Sequence, residues 1–291
     1  MRRWLAGLGV AALVLPNVGA ALHAHAMLSF LPEGERTANP EHLGSLDVAR
    51  TLLTGVRIPK PASSEPNGRI GELAITEAVP GPSAEGVVLL FHGYSASRDQ
   101  VEPVAEVFRE LGWATVTVDF HGHGHSPGNT TTLGWREAED VRAVFEAQDA
   151  RPIGLYGFSM GAAAALRAAR NLDVDFVVSE ACFARLEDTI RVRFDAMGLP
   201  SSPGSELLLF WGGALAGIDA RAHNPVDYAA NVEAPLLVVQ GEQDLRVSLD
   251  EARALGGELV VLEGVGHELG AVAAPERFRD ALRDFLRSAV R

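Results

Sequence analysis

The sequence predicts an α/β architecture, a mostly parallel central sheet with helices on both faces, and three observations predict it. Short apolar runs of strand length alternate with helical patterns from about residue 86 onward, and that alternation calls for parallel strands joined by crossover helices. One strand-to-helix junction, Gly157-Phe158-Ser159-Met160-Gly161, has the G-x-S-x-G form of a sharp turn. Two later strands each run into a polar loop, the first carrying Asp244 and the second His267.

The chain opens on Arg2 and Arg3, followed by an uncharged run over residues 4–22. A bilayer-spanning helix takes about 20 apolar residues, so this run is long enough, although Pro16 and Asn17 interrupt it. A buried N-terminal helix is one reading of residues 1–26, and two others stand beside it: a signal peptide with Ala24-His25-Ala26 as its A-x-A site, or an uncleaved membrane anchor. Either one exports the remainder, because the two arginines hold the N-terminus in the cytoplasm. The expected location is outside the cytoplasm, membrane-anchored or secreted/periplasmic. Residues 27–68 are broken by Pro32, Pro40, Pro59, Pro61 and Pro66 and read as a linker or arm.

Residues 69–291 form the expected catalytic domain. Residues 72–79 suit an antiparallel edge strand, and 86–91 and 114–118 suit buried strands separated by a helix over 99–111. The stretch 132–148 is amphipathic and reads as a surface helix, which accounts for Glu137, Glu139 and Asp140 by solvation. Strands follow at 152–156 and 176–179, with an Ala-rich helix over 162–170 between them. An insertion over about 184–232 predicts helices at 186–197 and 206–218, a small helical cap. It reads as a lid or as helices packed on the domain surface, and substrate shape is expected to be set there. Strands at 235–240 and 258–262 and an amphipathic helix over 275–290, with Pro275 in its first turn, complete the pattern.

The chemistry is expected beyond the carboxyl ends of the strands, where these junction loops fall. A serine on a tight strand-to-helix turn projects its hydroxyl past the strand, and flanking glycines let the backbone make the turn without a Cβ clash. Ser159 is the candidate nucleophile. A serine hydroxyl needs a base, and the base an orienting acid. His267 is the candidate base and Asp244 the candidate acid, with Glu180, at the end of an earlier strand, as the competing acid. Three alternate histidines, His121, His123 and His125, raise a metal reading, but their intervening glycines fit a tight turn better than the flat strand that would align three imidazoles. His223 reads as a loop hydrogen-bonding residue. The single cysteine, Cys182, excludes an internal disulfide and a cysteine metal cluster, and follows a strand as a buried structural thiol would. A formal net charge of −13 with no basic stripe argues against a nucleic-acid partner.

Together these residues resemble the α/β-hydrolase superfamily, in its esterase, lipase and serine peptidase-like branch, from about residue 71 onward. His92-Gly93-Tyr94 looks like the oxyanion-hole loop of that family. The resemblance then implies that the backbone N–H groups of Tyr94 and Met160 hold a developing oxyanion. Residues 119–126 are similar to a family loop of the form D-x-R-G-x-G-x-S, with His121 where arginine is usual. The implied activity is cleavage of a small-molecule carboxylic ester through an acyl-enzyme intermediate, with no cofactor and no metal. A serine nucleophile disfavours the epoxide hydrolase and dehalogenase branches. Peptidase or amidase, thioesterase and lipid-active acyl hydrolase chemistry share the same three side chains. A catalytically silent binding protein is the least favoured reading, and membrane association through the N-terminal segment is the remaining partner expectation. Oligomeric state is left open.

Overall fold

A computed structural model describes residues 2–31, 60–81, 84–149, 151–196, 198 and 200–290. Its eight strands are β1 (Gly68–Ile70), β2 (Leu73–Ala78), β3 (Val87–Phe91), β4 (Ala114–Val118), β5 (Ile153–Phe158), β6 (Phe176–Glu180), β7 (Leu236–Gly241) and β8 (Glu258–Leu262). They lie in the order β1-β2-β4-β3-β5-β6-β7-β8. The first two pair antiparallel, β2 also runs antiparallel to β4, and every other neighbouring pair is parallel. The antiparallel strand expected at the edge over 72–79 is β2, but it lies one position in from the edge, between β1 and β4. The short β1 that extends it, ending at a Gly71 with φ of 58°, is an addition to the predicted pattern.

The strands read as continuous apolar runs because both faces are covered: β3, β5 and β6 are buried at every position. Ten helices accompany them among the described residues: α1 (Arg2–Leu28), α2 (Glu102–Glu110), α3 (Glu137–Glu146), α4 (Met160–Ala169), α5 (Leu186–Ala196), α6 (Gly204–Ala216), α7 (Pro225–Ala229), α8 (Leu249–Ala254), α9 (Gly270–Ala273) and α10 (Pro275–Ala289). Phe108 of α2 and Phe278, Leu282 and Phe285 of α10 pack on Val88, Leu90, Tyr156 and Val178 on one face of the sheet. On the other, α4 lies against β5 and α3 against α4. The apolar stripe of α10 recurs at three- and four-residue steps (Phe278, Leu282, Phe285, Leu286), and Pro275 sits at its start.

Two compact units result. One consists of residues 61–185 and 224–291 and holds the whole sheet; the other consists of residues 1–60 and 186–223 and holds α1, α5 and α6. Within the second, α1 packs on α6 and α5 packs on α6. No helix among the described residues is long and apolar enough to cross a membrane. Most of the linker or arm expected over 27–68 lies outside the described residues. Its final stretch belongs to the sheet-bearing unit, where Ser63 donates to Asp119 at 2.8 Å and Ser64 donates through its N–H and hydroxyl to Asp99.

A helix expectation is corrected as well. The helix predicted over 132–148 begins only at Glu137, and Glu137 and Asp140 are buried rather than solvated. Glu137 accepts from the hydroxyls of Thr131 and Thr132 and from the N–H groups of Thr132 and Gly134. Those four donors close the preceding turn on the carboxylate, so residues 131–136 cannot continue the helix backward. The same hydrogen bonds hold the Glu137 carboxyl below its ordinary range against the opposing effect of burial.

Candidate active site

The turn that carries Ser159 is built from backbone constraints on either side. Ser159 has φ of 53° and ψ of −111°, a conformation that costs a non-glycine residue strain and so marks a site held by its surroundings. A Cβ on Gly157 would meet Ala162 N at 2.4 Å, and one on Gly161 would meet Phe91 O at 2.3 Å and His92 O at 2.6 Å. Both glycines are therefore required by close approach, and the second is the point at which the turn and the loop after β3 touch. Behind the serine, its N–H donates to the Glu180 carbonyl at 2.8 Å, and α4 begins at Met160.

His267 stands in the loop after β8 and bridges the other two candidates. Its Nε2 lies 3.2 Å from Ser159 Oγ and its Nδ1 lies 2.7 Å from Asp244 Oδ2. The Phe158 ring, centroid 5.2 Å away, packs against the imidazole. Asp244 follows β7 and is itself fixed: Oδ1 accepts from the N–H groups of Arg246 (2.7 Å) and Val247 (3.0 Å), and Oδ2 also accepts from Gln240 Nε2 at 3.1 Å. Burial alone would raise its carboxyl, but the bond to His267 and the two backbone N–H groups outweigh that and hold it below the ordinary range. An ionised Asp244 fixes the proton on Nδ1, which leaves Nε2 with the lone pair that faces the serine hydroxyl. The arrangement can move a proton from Ser159 to His267 as the oxygen attacks.

Glu180 goes elsewhere. Its carboxylate accepts from the Tyr156 hydroxyl (2.5 Å) and from the N–H of Gly270 (2.5 Å), the first residue of α9, just beyond the His267 loop. Burial, only partly offset by these bonds, raises its pKa to about 7.

Tyr94 and Met160 both follow the carboxyl ends of adjacent parallel strands, where Phe91 is in register with Gly157. The loop bearing Tyr94 is held by a residue to which sequence reasoning gave no role of its own. His92 is fully buried; its Nδ1–H donates to Gly93 O at 2.8 Å, and its Nε2 accepts from Phe120 N–H at 3.3 Å. Burial, reinforced by His123, lowers its pKa to about 3, so this ring is neutral. Gly93 N–H in turn donates to Gln100 Oε1 at 2.8 Å.

The three alternate histidines diverge. His121 pairs with Asp140 through Nδ1 at 2.6 Å, the buried His123 contacts the His121 carbonyl through Nδ1 at 3.1 Å, and His125 Nδ1 lies 2.9 Å from Ser63 Oγ. Asp119, at the head of this loop, forms a buried ion pair with Arg98 and also accepts from the Arg98 and His125 N–H groups. Arg98 further donates to Thr76 and Ser63. The buried guanidinium was not foreseen, and nothing in the sequence marks it as different from a surface arginine. Cys182 is buried, with burial the main reason its thiol lies far above its ordinary range. His223, also buried, accepts the Leu186 N–H through its carbonyl at 3.1 Å.

Comparison with known proteins gives the same outline. A sequence profile described as the alpha/beta hydrolase family matches residues 87–281. The chain is 25% identical over 214 residues to the uncharacterized protein YqkD of Bacillus subtilis, covering 68% of this chain and 70% of that one. It is also 25% identical over 210 residues to a lysophosphatidylserine lipase of Macaca fascicularis, covering 68% and 48%. Among solved structures, a Pyrococcus furiosus esterase superposes with a TM-score of 0.60 at 26% identity, covering 75% of this chain and 86% of the esterase. The fold is the α/β-hydrolase fold that the sequence predicts.

Proposed function

The chain belongs to the alpha/beta hydrolase family, and on that premise we propose that it is a serine hydrolase that cleaves carboxylic esters through an acyl-enzyme intermediate. The observation that carries the reading is the doubly bonded imidazole of His267, 3.2 Å from Ser159 Oγ and 2.7 Å from Asp244 Oδ2. In the first half-reaction Ser159 Oγ attacks the ester carbonyl while His267 Nε2 takes its proton. The resulting imidazolium faces Asp244, and the proton then passes to the leaving alkoxide. In the second half-reaction water attacks the acyl-serine with His267 again as base, the acyl–Oγ bond breaks, the carboxylic acid leaves and His267 returns the proton to Ser159 Oγ. The N–H groups of Tyr94 and Met160 are the proposed oxyanion donors, and each such donor is typically worth about 3 kcal/mol of barrier. The match to a P. furiosus esterase supports ester substrates. Lipid esters are the second reading, supported by the similarity to a protein named as a lysophosphatidylserine lipase. The uncharged run over residues 4–22 supports export or membrane attachment.

The test is hydrolysis of p-nitrophenyl esters of increasing acyl length by the wild type and by Ser159→Ala, together with labelling by a fluorophosphonate probe. Turnover that collapses in the variant, with label on Ser159 only in the wild type, is the expected result. Folded wild type that neither turns over any ester nor takes the label would overturn the proposal.

A further inference from the structure

Ten large apolar side chains are exposed among the described residues, and six of them lie on two helices packed together: Val14, Leu15, Val18 and Leu22 on α1, and Phe210 and Leu215 on α6. Val14, Val18 and Leu22 recur every four residues, with Leu15 beside them, and so form one stripe down α1. Trp211 Nε1–H donates to Asn17 Oδ1 at 3.2 Å, joining α6 to α1 beside that stripe, and the exposed Phe210 ring stands edge-on to Trp211 at 5.3 Å between centroids. Soluble proteins bury or cover apolar patches of this kind.

We propose that this α1–α6 face docks on a lipid bilayer, lying in the plane of the headgroup–acyl boundary. Charge decides between lipid and the other obvious occupant, a second copy of the chain. No Asp, Glu, Lys or Arg occurs over residues 4–32 or 207–218, so the charges of the two helices are confined to Arg2 and Arg3 at the start of α1 and Glu206 in the first turn of α6. A second copy presenting the same face gives those arginines no free anion, since its Glu206 already faces Arg191 at 4.0 Å. Phosphate headgroups give them one, at the depth where a helix lying in the interface keeps its polar groups. At 1.5 Å per residue the uncharged run over 4–22 extends about 28 Å, ample for burial lengthwise. Trp211, apolar except for one N–H, is the aromatic type that membrane interfaces favour.

The test is flotation of the full chain, carrying Ser159→Ala so that catalysis plays no part, with vesicles of phosphatidylcholine and a minority of phosphatidylglycerol. Its comparisons are the double variants Leu15→Glu/Val18→Glu and Phe210→Glu/Leu215→Glu, whose sites are exposed. An unchanged thermal transition shows that each is folded. The expected result is flotation of the parent chain and a loss of about tenfold or more in the partition coefficient of each variant. Four results would overturn the proposal: parent protein that stays at the bottom of the gradient, variants that float equally well, a dimer that the variants split but that does not float, and mature protein whose mass shows that α1 has been removed.

Discussion

Tyr156 donates its hydroxyl to Glu180 at 2.5 Å, and by doing so it engages the one other carboxylate that the sequence offers as a partner for His267. Both Glu180 oxygens are used, the second by Gly270 N–H. The residue joins three parts of the site: its carbonyl holds Ser159 N–H, and its side chain ties β5 to the start of α9.

The first prediction concerns pH. Burial raises the Glu180 carboxyl from 4.5 to about 7, with Tyr156 as the titratable group facing it. Between those values the unfolded chain has released this proton while the folded chain still holds it. Glu180 therefore lowers stability progressively as pH rises from about 4.5 to about 7. In Glu180→Gln the amide oxygen can accept from Gly270 N–H and the amide nitrogen can donate to Tyr156. The variant is expected to gain on the wild type in urea-unfolding free energy across that window. Parallel curves for the two proteins would refute the assignment.

Asp244 and Glu180 also separate by activity. Asp244→Asn removes the charge that fixes the proton on His267 Nδ1, and kcat is expected to fall by roughly 10³- to 10⁴-fold. Glu180→Gln leaves the imidazole its partner, and a loss of less than about tenfold is expected, because only the loop anchor is altered. Steady-state kinetics on one ester reads both. A larger loss in the Glu180 variant than in the Asp244 variant would reverse the assignment of the acid.

Gly161→Ala tests the seam between the turn and the loop after β3. The added methyl has to displace Phe91 O and His92 O, which are backbone atoms at the end of a buried strand. A cost of about 3 kcal/mol or more in unfolding free energy is expected. In any protein that still folds, kcat should fall further than KM changes, because His92 and Gly93 carry the Tyr94 N–H. A variant with wild-type stability would show that the two segments do not touch as described.

What could be read from the sequence was whatever a strand end or a hydrophobic period marks. Ser159, Asp244 and His267 each follow an apolar run of strand length, and such junctions are visible without coordinates. Glu137 was misread because amphipathic spacing assigns a side to a residue but does not reveal four donors folding over it from residues 131–134. Arg98 was missed for the same reason: its partners Thr76, Ser63 and Asp119 are distant in sequence and meet only when β2, the 61–66 segment and the end of β4 converge. The clamp at Glu180 was half legible. Its place at a strand end was clear, but its direction depended on Tyr156 reaching across from β5.

The acid limb of stability provides the last test. His92 is buried and neutral, its pKa lowered from 6.5 to about 3 by burial and by His123, with Gly93 O and Asp119 opposing. As pH falls from about 6.5 toward 3, the unfolded chain takes up a proton on this residue that the folded chain refuses, so the folded state loses stability across that interval. Asp119, held below its ordinary range by Arg98, Ser63 and His125 against burial, adds a further loss once its unfolded carboxyl, near 3.8, protonates. His92→Gln removes the first contribution and leaves the second. The variant is expected to be less stable than the wild type at pH 8, because the paired bonds to Gly93 and Phe120 are disturbed, but to lose less stability between pH 6.5 and 4. Unfolding free energies measured at those pH values, for both proteins in the same buffer series, decide it. If the two acid limbs are equally steep, His92 is already charged in the folded protein, and its ring does not hold the Gly93 and Phe120 bonds in the arrangement described.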